Sequence, residues 1–78
     1  MKVIVNVKLK SGVLDPQGKA VEHSLQSLGF SEISNVRIGK QIVLEIANDD
    51  KSKIKKDVEK MCEELLANTV IEEYEIEL

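Results

Sequence analysis

The feature that most restricts this chain is the run Lys2-Val3-Ile4-Val5-Asn6-Val7-Lys8-Leu9-Lys10. Successive side chains of a strand point to opposite faces, so Val3, Val5, Val7 and Leu9 share one face. Lys2, Ile4, Asn6, Lys8 and Lys10 share the other. Three β-branched valines on one side suit a pleated, half-buried surface. Residues 2–10 are therefore a strand whose valine face needs cover from elsewhere in the chain.

Ser11-Gly12 breaks the alternation, and Asp15-Pro16 opens a helix. Asp can cap the free N–H groups of a first turn, and Pro suits the first helical position because its missing N–H would be unsatisfied anyway. Val21, Leu25 and Leu28, with Ala20 and Ser24 beside them, set one stripe at helical spacing, which carries the helix to about Leu28. Gly29 ends it in a left-handed cap, with Phe30 folding back. Residues 32–38, with Ile33, Val36 and Ile38, read as a second strand, and Gly39-Lys40 as a tight turn into a third strand over 41–47. Asn48-Asp49-Asp50 is a capping cluster. A second helix follows, with Ile54, Val58, Met61, Cys62 and Leu65 on its stripe, ending near Asn68. Residues 70–78 alternate as a last strand.

The resulting order, β-α-β-β-α-β, predicts an α+β ferredoxin-like domain over residues 1–78. It should be an antiparallel four-stranded sheet with two helices on one face. The face opposite the helices would mix Ile4, Val43 and Ile71 with Lys8, Lys10, Arg37, Glu45, Glu73 and Glu75. Lysines of the first strand would stand beside glutamates of the last. Two readings of that face stand: a solvated surface, or one covered by another copy of the chain.

Composition narrows the function. At 78 residues there is one core, and it is small. A single cysteine, Cys62, allows no internal disulfide, and no Cys/His spacing would hold a structural metal. A partner chain is then the expected source of extra stability. With 11 basic and 14 acidic residues and a net charge of −3, the chain lacks the positive field of a nucleic-acid binder. Phe30 and Tyr74 alone make no stacking platform. No stretch reaches membrane-spanning length, and a free thiol without a targeting segment fits the cytoplasm.

Catalysis has little support. His23 lies off the apolar stripe, Cys62 falls on a buried one without a base beside it, and the carboxylates are dispersed. Gly12 and Gly18 flank a helix start that could favour an anion, but Asp15 occupies the cap and would repel phosphate. No cofactor or metal is expected on the chain itself.

What remains is Gly12-Val13-Leu14-Asp15-Pro16-Gln17-Gly18. Asp15, Pro16 and Gly12 make the turn and cap; Val13, Leu14, Gln17 and Gly18 have no necessary local role. Leu14 has two readings: a staple packed on the helix, or part of a docking surface made rigid by Pro16. Arg37 likewise could pair with Glu45 across strands or bind a partner carboxylate.

Residues 9–18, Leu-Lys-Ser-Gly-Val-Leu-Asp-Pro-Gln-Gly, closely resemble the opening signature of the PurS family, the small subunit of phosphoribosylformylglycinamidine (FGAM) synthase. The likeness continues through Val36-Arg37-Ile38-Gly39-Lys40, Leu65-Leu66-Ala67-Asn68, Val70-Ile71-Glu72 and Tyr74. Ser11 and Thr69 stand where the family commonly has proline. The resemblance implies a non-catalytic subunit in purine biosynthesis. It would be a small homodimer bridging a glutaminase and a large synthetase and helping ammonia pass between them. The complex, rather than this chain, would use ATP and magnesium. Subunit contacts are then expected at Leu14, Asp15, Pro16, Gln17, Gly18, Arg37, Gly39 and Lys40. The competing reading is a free-standing ferredoxin-like module that binds a small molecule at a dimer interface.

Overall fold

In the computed structural model, which describes Met1 to Leu78, the period-two run forms β1 over Lys2–Leu9. β1 is the centre of a three-stranded antiparallel sheet, flanked by β2 (Gly39–Glu45) and β3 (Glu72–Glu77). Val3 lies opposite Leu44, Val5 opposite both Ile42 and Ile76, and Val7 opposite Tyr74. These pairs gather the apolar side chains on one face, where cross-strand neighbours stabilise each other. The other face carries a polar ladder. Gln41 Nε2 donates to Asn6 Oδ1 at 3.1 Å, and Asn6 Nδ2 donates to Glu77 Oε2 at 2.9 Å. Lys8 and Glu73 stand 3.6 Å apart there, the cross-strand pairing expected from the sequence; both are exposed, so the pair adds little stability.

α2 (Lys51–Met61) covers the apolar face. Asp50 is its cap, with Oδ1 accepting from the Lys53 N–H at 3.2 Å. Ile54, Val58 and Cys62, on successive turns, pack with Val3, Val5 and Val7 into a fully buried core. Burying an aliphatic side chain stabilises by roughly 1.5–3 kcal/mol, so this one row supplies much of the folding free energy. After Met61 the helix widens into a π turn, Cys62–Leu66, where the Ala67 N–H reaches the Cys62 carbonyl at 3.1 Å. The buried row keeps its spacing of four as far as Leu66. Met61 and Leu65, expected on the stripe, face solvent instead.

The expected four-stranded sheet does not form: the sheet has three strands, and residues 32–38 are not one of them. The reason is where that segment's backbone donors go. Ile33 N–H donates to the Phe30 carbonyl at 3.2 Å, Val36 N–H to Glu22 Oε1 at 3.2 Å and Ile38 N–H to Asp15 Oδ2 at 2.8 Å. A strand would need those donors for its neighbour. Asn35 also sits in the left-handed region at φ 55°, which breaks an extended path. Gly39 and Lys40 are not a turn for the same reason; they open β2 opposite Lys8 and Val7. The fold is α+β with the order β-α-β-α-β.

Two helices on one face is also corrected. α1 (Pro16–Ser27) forms over the expected residues, and Gly29 follows in the left-handed region at φ 102°. It packs on neither the sheet nor α2. The molecule measures 48 × 24 × 14 Å, with a radius of gyration of 15.9 Å, against about 11–12 Å for a compact chain of this length. α1 and the return segment 28–38 form an arm, tied together where Gln26 Nε2 donates to the Ile33 carbonyl at 3.0 Å. The stripe of Val21, Leu25 and Leu28 has no sheet beneath it.

Candidate subunit-docking site

The base of the arm is a clasp built on Asp15. Its backbone is extended (φ −117°, ψ 92°), the conformation of a helix cap, and Pro16 follows at the first helical position. Oδ1 accepts from the Gly18 N–H at 2.8 Å, closing the first turn of α1. Oδ2 accepts from the Ile38 N–H at 2.8 Å, binding the helix start to the segment that leads into β2. One carboxylate thus joins two parts of the chain, and it is buried. The N–H of Ile38 and then that of Gly18 hold the carboxyl below the usual aspartate range. Burial opposes them, and the Arg37 charge and the Gln17 N–H add smaller pulls in the same direction.

Arg37 secures the other side. Its Nη2 donates to the Lys10 carbonyl at 3.0 Å and the Val13 carbonyl at 2.7 Å. It therefore pairs with loop carbonyls rather than with Glu45. Val13 N–H donates to the Lys10 carbonyl at 2.9 Å, so the loop is a closed turn held across its mouth by the guanidinium. Gly18 has a steric role: a Cβ there would run into the Val36 carbonyl oxygen and lie 3.1 Å from Asp15 Cγ. Gly39 allows a similar approach, since a Cβ would stand 2.9 Å from the Val7 carbonyl oxygen.

The clasp brings most of the expected contact residues together, in two groups. Asp15, Gly18, Arg37 and Gly39 hold the chain to itself. Leu14, Pro16, Gln17 and Lys40 are exposed. Leu14, at 72% exposure, is not a staple against α1; its side chain projects into solvent. Sequence reasoning missed Glu22 and the backbone of Val36, which close the arm from above. A glycine inside the first turn of a helix was the available signal, because that position costs helix stability unless close packing requires it.

Beside the clasp, the polar sheet face holds an open depression of about 560 Å³ lined by Asn6, Lys8, Arg37, Gly39, Lys40 and Glu73, among others. Its charges are mixed, and Arg37 is committed to the loop. The groups that could act chemically lie apart from the clasp. His23 is exposed on the arm, and Cys62 is buried, where burial and then Glu63 and Glu59 push its thiol up. The Tyr74 hydroxyl donates to Glu63 Oε2 at 2.8 Å, a bond that, with burial and the nearby carboxylates, lifts it to about 12. No helix is long and apolar enough to cross a membrane. The loop is thus closed by Asp15 and Arg37, with Leu14 and Gln17 outside it.

Comparison with known proteins identifies the family. Residues 2–78 match the family model PurS, described as phosphoribosylformylglycinamidine (FGAM) synthase. The chain is 52% identical over 77 residues to the FGAM synthase subunit PurS of Bacillus subtilis, covering 99% of this chain and 90% of that one. To the PurS subunit of Methanocaldococcus jannaschii it is 42% identical, covering 99% and 93%. Among solved structures, B. subtilis PurS superposes with a TM-score of 0.86 at 53% identity, covering 97% of this chain and 94% of that one. A chain of the Thermotoga maritima PurLQS structure superposes at 0.89 with 39% identity, covering 97% and 93%. The chain belongs to the PurS family of phosphoribosylformylglycinamidine synthase subunits.

Proposed function

We propose that this chain is the non-catalytic assembly subunit of a glutamine-dependent FGAM synthase, joining a glutaminase to a large synthetase and assisting ammonia transfer between them. The complex works in the cytoplasm and consumes ATP with magnesium; this chain binds neither. The observation that carries the reading is the division of labour in the loop. Buried Asp15, Gly18 and the Arg37 clasp fix its shape. The side chains of Leu14, Gln17 and Lys40 are left outward and make no hydrogen bond or ion pair within the molecule, and Pro16, which starts α1, is exposed beside them. An exposed leucine on a pre-formed loop loses little conformational entropy on binding, the condition for a good anchor. The occurrence of a full-length similar chain in the PurLQS structure of T. maritima supports the same reading.

Association tests it. In co-purification with the two partner subunits, Leu14→Asp is expected to weaken retention of this chain at least about tenfold while leaving its circular dichroism unchanged. Undiminished retention of Leu14→Asp, together with an equally unaffected Gln17→Ala/Lys40→Glu double variant, would remove the loop from the docking surface.

A further inference from the structure

Charge is unevenly placed along this chain. Residues 1–50 carry six basic and six acidic side chains and are neutral as a whole. Residues 51–60 then carry five lysines against Asp57 and Glu59, and residues 61–78 carry six glutamates with no lysine or arginine. The net charge of −3 is therefore the sum of a basic helix and an acidic end. The Tyr74 hydroxyl of β3 donates to Glu63 at 2.8 Å, so the acidic strand meets the helix where the helix ends.

The stability of α2 does not account for its lysines. A helix start favours negative side chains and a helix end positive ones. α2 has Lys51 and Lys53 in its first turn with no acidic residue there, and it runs on into Glu63 and Glu64 of the π turn. Glutamate, about as good a helix former as lysine, would suit that first turn better. The spacing within the helix agrees. Lys53 with Asp57 and Lys55 with Glu59 are pairs four apart with the basic residue first, the weaker orientation. Only the first pair closes, at 3.4 Å. Lys51, Lys55, Lys56 and Lys60 are exposed and make no ion pair within the chain. Lys56 and Lys60 stand two residues past Ile54 and Val58, about half a turn round from the buried row, and so face away from the core.

We infer that the outer face of α2 is a second docking surface, which steers and holds an acidic patch on one of the two partner subunits. The inference rests on the assembly reading: a chain that joins two subunits needs two surfaces, and the clasp loop is one of them. The size suits a protein patch. From Lys53 to Lys60 the stripe is about 10 Å long, room for a few carboxylates. A nucleic acid following the same line would run onto the acidic end and be repelled. That end also sets the orientation, because like charges oppose a partner docked the wrong way round. Ile54 and Val58 hold α2 on the core, so the lysines project from a fixed backbone.

Association rates of the full chain with each purified partner subunit, measured by stopped flow over a series of salt concentrations, test the inference. Lys56→Gln/Lys60→Gln is expected to slow association with one subunit roughly fivefold at low salt and to flatten its salt dependence. Lys2→Gln/Lys19→Gln makes the same change in net charge and should leave both rates nearly native. Lys51→Glu separates docking from folding: it suits the helix start, so it should melt no lower than the native chain and still slow the same subunit. Native rates for all three variants at every salt concentration overturn the inference and leave the assembly reading standing. Equal slowing by Lys2→Gln/Lys19→Gln reduces the effect to net charge and also overturns it. A native chain that binds neither subunit overturns both readings. Native binding to a short RNA duplex at physiological salt, lost in Lys56→Gln/Lys60→Gln while partner rates stay native, assigns the lysines to nucleic acid and overturns the inference alone.

Discussion

Asp15 shows how one side chain can hold two distant stretches of backbone. Its oxygens satisfy Gly18 and Ile38 together, so the helix start and the approach to β2 move as one body. Replacing it with asparagine puts an NH₂ against one of those donors, and the expected result is a melting temperature lower by roughly 5–10 °C. The pH dependence follows from its lowered pKa. The clasp contributes fully above the ordinary aspartate range and is lost as pH falls through the folded value. Stability should therefore decline from about pH 4 downward, and Asp15→Asn should show a flatter acid slope in chemical denaturation series. Gly18→Ala is expected to cost roughly 1–3 kcal/mol, because the obstruction is backbone and cannot rotate away. Tyr74, the one tyrosine, offers an optical check. Its ultraviolet titration midpoint should lie near 12 in the folded chain and fall toward 10 on unfolding. The raised value means that the Glu63 bond stabilises at neutral pH and is lost as pH rises through 12. At this scale the sequence announced Asp15 and Pro16 through capping chemistry. It singled out Arg37 but not its partners, which are carbonyl oxygens that any residue would supply.

Elements were legible where one face of a pattern is buried by the chain itself. β1 and α2 carry period-two and period-four rows of aliphatic residues that meet each other, and both formed over nearly the expected residues. Ile54→Ala should cost roughly 2–5 kcal/mol in denaturant unfolding, close to the total stability of so small a core. The segment 32–38 has the same apolar spacing as a strand, yet its N–H groups are taken by Glu22, Asp15 and the Phe30 carbonyl. Apolar spacing does not record which hydrogen-bond partner a donor finds, and the expected fourth strand was lost on that point. α1 failed differently. Its residues were right and its place was wrong, because helical spacing records that one side is apolar and not whether the chain's own sheet lies beneath it.

For the whole molecule, the shape shows how little of the chain the core encloses. Only the small row between β1 and α2 is fully buried, while an arm extends the chain to 48 Å and leaves its apolar side chains outside. Asp15 and Asp50 cap helices, Arg37 clasps the loop, and Lys8–Glu73 and Lys53–Asp57 form ion pairs, while Leu14, Leu28 and Leu65 are exposed. The composition, short of staples, already pointed to a partner, and the loop signature pointed to which family; neither could show how much surface would be left open. The most direct measurement compares glutamine-driven with ammonia-driven amidation by the glutaminase and synthetase, each with and without this chain. An assembly subunit should raise the glutamine-driven rate by at least about tenfold and leave the ammonia-driven rate nearly unchanged. Full glutamine-driven activity in the absence of the chain would contradict that role.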